Sequence, residues 1–134
     1  MKKTWIQKRD SDKKGQLKVL DKKFADMPEG CRMFIATPKI IDAYLRSIPL
    51  GTSVELSTMR KDLALINEAE MTCPVTTAIF LRVASEAALE ELALGKKVDE
   101  VAPFWRVVKA ESKLAAKLNC APTFIQEQRA LEGL

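Results

Sequence analysis

The sequence contains no histidine. That absence excludes Ser-His-Asp and Cys-His catalysis and removes the commonest zinc and iron ligand. A transition-metal site would need cysteines and carboxylates alone. The three cysteines, Cys31, Cys73 and Cys120, are scattered and form no Cys-x-x-Cys pair. They are also too few for a disulfide framework, so the expectation is a reduced, cytoplasmic protein with no metal and no cofactor. No apolar run approaches the roughly 18 residues that span a bilayer, so no membrane partner is expected. The basic N-terminus is not followed by the apolar core of a signal peptide. Aromatic residues are scarce, at 6%, yet two of them, Phe104 and Trp105, stand side by side after Pro103.

What is present fits one domain with a substantial core: 134 residues, 47% of them apolar and 30% charged. The net charge of +4 is unevenly placed. Residues 1–23 hold nine basic side chains against Asp10, Asp12 and Asp21, a balance of +6, which leaves −2 for the remainder. A basic arm over residues 1–32 on a near-neutral body, residues 33–134, suits polyanion binding, because each phosphate contact releases condensed counterions. A solvated terminus reads equally well from the charge alone.

Helix punctuation is frequent. Met33-Phe34-Ile35-Ala36 reads as a short strand. Thr37 followed by Pro38 predicts an N-cap and first turn, and the helix runs through Ser47 with Ile40, Ile41, Tyr44, Leu45 and Ile48 inward. A short extended segment at Ser53–Leu56 precedes a second helix, capped by Ser57, with Met59, Leu63 and Ile66 as its stripe. Thr72 and Pro74 predict the start of a third helix, running to about Leu94, with Val75, Ile79, Phe80, Val83 and Ala87 inward and Thr77, Leu81 and Ser85 outward. Val107-Val108 reads as a strand, residues 111–118 as a short helix or the edge of a wing, and Phe124–Leu131 as a last helix with Phe124, Ile125 and Leu131 inward. Two helices joined by a short turn outline a helix-turn-helix. The expected fold is mainly α with short strands, a winged helix-turn-helix. A four-helix bundle competes with it.

Three segments, taken in order, carry a resemblance: the Ile48-Pro49-x-Gly51 turn, Met59-x-x-x-Leu63-Ala64, and Pro103-x-x-Arg106-Val107-Val108. Residues 33–134 resemble the winged-helix DNA-binding domain of alkylguanine-DNA alkyltransferases (methylated-DNA–protein-cysteine methyltransferases). Phe104 stands where that family has its nucleophilic cysteine, and Trp105 where it has the activating histidine. Leu56 replaces the tyrosine that crowds the target phosphate, and the arginine that fills the gap of a flipped base falls near Thr77. Glu132-Gly133 resembles the Glu-Gly closing the family's relay, which leaves Glu132 without both of its partners. The resemblance therefore implies the alkyltransferase-like branch: no catalytic residue, and binding of double-stranded DNA, with recruitment of a repair protein as a partner.

The residues expected at that surface are Arg60, Lys61, Thr76, Thr77 and Arg106, with Phe104 and Trp105 lining a base pocket. Helix-start hydroxyls and amides suit phosphate contacts, and the two rings suit stacking on a base. Each has a plainer reading: Arg60 and Lys61 as a solvated face, Thr72 as a cap, Phe104 and Trp105 as core. Arg82 is expected to pair with Glu86, four residues on. Two other functions remain open, an interaction module that has lost DNA recognition and an alkyl acceptor using Cys73, whose place at a helix start favours the thiolate.

Overall fold

The computed structural model describes residues 2–134. Six helices, α1 (Trp5–Arg9), α2 (Pro38–Ser47), α3 (Leu56–Ile66), α4 (Pro74–Ala93), α5 (Lys113–Lys117) and α6 (Pro122–Leu131), accompany three short strands. These are β1 (Gln16–Val19), β2 (Arg32–Ile35) and β3 (Met71–Thr72), in spatial order β1-β2-β3, the first pair antiparallel and the second parallel. The fold is thus mainly α with short strands. All three strands precede α4, and the stretch after Val108 is helical.

Residues 2–32 do not hang free. Thr4 and Gln7 form a capping box for α1, and the α1 amides of Trp5 and Ile6 donate to the Glu90 carboxylate at 3.3 and 3.1 Å. A carboxylate at a helix start satisfies orphan donors and opposes the helix dipole. Arg9 then pairs with Glu91 at 2.5 Å, so both ends of α1 are fastened to α4. Burial tends to raise the Glu91 carboxyl, but Lys96 and Arg9 together hold it below the ordinary range. Gly15 allows the chain to cross the Phe34 ring on its way into β1.

α2 begins as its sequence predicts, with the Thr37 hydroxyl accepting from the Ile40 amide and Pro38 in the first turn. Ile41 and Leu45 are fully buried, and they meet Met59 and Leu63 from α3, Leu81, Ala84 and Ala88 from α4, and Ile125 from α6 in one core.

Several expectations are corrected. α3 starts at Leu56 with Glu55 as its N-cap, so Ser57 lies inside the helix. Ile66 and Leu131 are mostly exposed, each at the last turn of its helix. Thr72 is no cap: it belongs to β3, and its hydroxyl donates to the Arg60 carbonyl. Val107 and Val108 are buried after a 3-10 turn rather than in a strand.

The largest difference lies in α4, where Val83 and Ala87 are buried as expected but the rest of the inner face is not the expected one. Thr77, Leu81 and Ser85 face inward, while Val75 and Ile79 are 52% and 53% exposed. The hydroxyls explain it. Thr77 donates to the Cys73 carbonyl and Ser85 to the Leu81 carbonyl, each one turn back. A hydroxyl satisfied inside its own helix costs little to bury, and the small side chains on this face admit close packing.

An alanine Cβ at position 15 would lie 2.7 Å from the Phe34 ring. Gly15→Ala should therefore lower unfolding free energy by about 1–3 kcal/mol through overpacking, read as a reduced urea midpoint at unchanged slope.

Candidate nucleic-acid interface

The stretch Val101–Val108 is buried except for Arg106, and its centre is a 3-10 turn over Phe104–Arg106. Phe104 is fully buried and Trp105 2% exposed. Their rings meet edge-on at 5.3 Å, and both reach Phe124 of α6, at 6.3 and 6.1 Å. This is an aromatic cluster of ordinary core geometry.

The polar edge of the same turn is organised by one carboxylate. Glu132 Oε2 accepts from Trp105 Nε1 at 2.6 Å, and Oε1 accepts from Arg106 Nε at 2.8 Å and the Gly51 amide at 2.9 Å. Arg106 Nη1 donates to the Ile48 carbonyl at 2.7 Å, and Arg129 Nη1 to the Trp105 carbonyl at 2.7 Å. Burial tends to raise the Glu132 carboxyl. Arg106, the Gly51 amide and Trp105 outweigh that and hold it below the ordinary carboxylate range. No cysteine or histidine faces Glu132, as expected, and the indole at 105 supplies an N–H in their place. The signal was readable, since tryptophan keeps a donor at the ring.

The residues expected at the surface do not gather in one place. Arg106 is committed to Glu132 and Ile48, and its side chain is 12% exposed. Arg60 makes a two-pronged pair with Asp26, both contacts at 3.0 Å, and donates to the Thr72 carbonyl. Thr77 is buried. Lys61 is exposed on α3, and Thr76 is half-buried in the first turn of α4. Phe104 and Trp105 line no pocket beside Leu56. The small hollow there, about 180 Å3, is walled by Leu56, Val107, Val108 and Leu114. Trp105 instead backs a separate cleft near α6, beside Arg106 and Glu132. Cys73 is buried, 4% exposed, in a second small cluster with Met27 and Met33.

Sequence reasoning named the charge of the arm but not where it lands. Lys13, Lys14 and Gln16 line a depression of about 370 Å3 whose other wall includes Thr76 and Phe80 of α4. Lys18, Lys22 and Lys23 continue along the exposed side of β1 and the following turn. Among the described residues, none of these five lysines forms an ion pair within the chain. The packing of α1 on α4 and the pairing of β1 with β2 together bring them beside α4, and pairing of a four-residue polar strand leaves little trace in sequence.

Comparison with known protein families, curated proteins and solved structures found no match in any of the three.

Glu132→Gln keeps the shape but removes the charge that Arg106, Gly51 and Trp105 address. It should cost about 3–5 kcal/mol by stranding the Arg106 cation. The folded carboxyl lies below its unfolded value, so its contribution is present above about pH 4.5 and disappears as pH falls through the folded value. Urea unfolding across that acid range should show a steeper loss in the wild type than in E132Q; parallel curves would contradict the assignment.

Proposed function

We propose that the protein is a non-catalytic binder of double-stranded DNA of the alkyltransferase-like type. It holds the backbone with the lysines of residues 13–23 and the first turn of α4, and it does not extrude a base. The observation that carries this reading is the placement of Lys13 and Lys14 beside Thr76, at the start of α4. Unpaired cations there add to the positive end of the helix dipole, a setting that favours phosphate.

The resemblance gains support from the meeting in space of two of its three motif segments. The Ile48–Gly51 turn and Arg106 are joined through Glu132 and through the Ile48 carbonyl. In this reading α3 and α4 serve as the helix-turn-helix of a winged-helix domain, with α4 as the recognition helix and α5 where a wing would stand. Phosphate contacts position such a protein without reading sequence. The burial of Phe104 and Trp105 supports backbone binding over lesion recognition, because almost none of either ring is left for stacking on a base.

A labelled duplex titrated at about 50 mM and about 200 mM salt tests the proposal. Affinity should fall steeply with salt, by a slope near 0.9 per phosphate neutralised. Lys13→Glu with Lys14→Glu should weaken binding by about tenfold or more while leaving the melting temperature unchanged. Absence of binding at the lower salt, or a charge-reversed variant that binds as tightly as wild type, would overturn it.

A further inference from the structure

α4 continues between α1 and α5, and the three helices enclose a second groove of about 540 Å3. Its lining is largely apolar: Ala78, Ile79 and Val83 from α4, Leu114 from α5 and the Trp5 indole from α1. Its charged residues are all cations, Lys8, Arg82, Lys113 and Lys117. Lys8 and Arg82 lie over the Trp5 ring at 4.3 and 5.4 Å, which fixes two of those charges at one end. Lys113 and Lys117 stand one turn apart on the opposite wall, both exposed. Arg82 is held by a 3.4 Å bond to the Lys117 carbonyl and a 3.7 Å pairing with Glu86, so most of its donors are free for another acceptor.

A floor of this kind suits apolar side chains rather than phosphates. A rim of four cations with no carboxylate among them selects acidic neighbours. Helical spacing puts Ala78, Ile79 and Arg82 on a different face of α4 from Thr76 and Phe80, so the groove is separate from the Lys13–Lys14 depression. We propose that this groove docks an acidic amphipathic helix of a partner protein, its apolar face on Ile79 and Leu114 and its carboxylates against Lys8, Arg82, Lys113 and Lys117. This is helix-in-groove recognition, in which apolar anchors give affinity and the charged rim gives orientation and on-rate. The inference does not depend on the DNA reading.

The probe is a fluorescein-labelled peptide of about 16 residues with leucine at i, i+3, i+4 and i+7 and glutamate elsewhere. A control peptide has the same composition with the leucines spread around the helix. Anisotropy at about 150 mM salt should show binding of the first and at least about fivefold weaker binding of the second. Lys113→Glu with Lys117→Glu should cost about tenfold or more, and Ile79→Gln about fivefold. Lys8→Glu reads the rim from another helix, which keeps the test valid should α5 be disturbed. Duplex DNA should not displace the peptide. Equal binding of both peptides, no binding of either, or displacement by equimolar duplex would overturn the proposal, the last by assigning the groove to the DNA surface.

Discussion

A single carboxylate, that of Glu132, ties together three parts of the chain that are otherwise far apart in sequence. It takes the Gly51 amide from the turn after α2, the indole and guanidinium of Trp105 and Arg106 from the 3-10 turn, and it stands at the end of α6. Its side chain is only 7% exposed, so the charge survives there because three donors address it. A buried carboxylate with one donor would be neutral or would push the helix away; with three it fixes both the turn and the helix. Arg129 repeats the tie from the other side by donating to the Trp105 carbonyl and to Ser53. The aromatic cluster of Phe104, Trp105 and Phe124 is then held between a polar clamp above and the core of α2, α3 and α4 below.

α4 carries the consequences outward. Its inner face is set by hydroxyls that bond within the helix and by alanines, which leaves Val75, Ala78, Ile79 and Arg82 on the outside. Along that length the helix has two different neighbours. At its start lie the lysines that enter β1, over a depression with a polar mouth. Farther on lie α1 and α5, which flank an apolar groove with a cationic rim. The same helix thus borders two separate hollows, one edged by Lys13 and Lys14 and the other apolar with a cationic rim.

Much of the helical scaffold was legible because the punctuation was local. Thr37-Pro38 set the start of α2, and Gly95 followed the end of α4. The misjudged features depended on partners remote in sequence. Thr72 has the composition of a cap, yet strand pairing with β2 and a bond to Arg60 claim it instead. The buried face of α4 defeats a hydrophobic stripe because Thr77 and Ser85 satisfy their own hydroxyls, which composition alone does not reveal. The arm reads as solvated from its charge, while Glu90 and Glu91, more than 80 residues away, are what fasten it. Arg60 and Arg106 likewise meet their partners, Asp26, Glu132 and two backbone carbonyls, only through the tertiary fold.

Trp105 anchors its turn as a hydrogen-bond donor rather than as a titrating group. A histidine beside a carboxylate supplies both an N–H donor and a titratable nitrogen. A tryptophan supplies only the donor, on a larger ring that buries more apolar area. The clamp on Glu132 needs the donor and makes no use of titration, so the turn keeps its anchor. Phe104 then needs only to fill space, which it does against Phe124 with no exposed surface. The pair at 104 and 105 therefore satisfies packing and hydrogen bonding completely while presenting no nucleophile and no base. A loop built this way positions the helices around it, joining the turn after α2 to the end of α6.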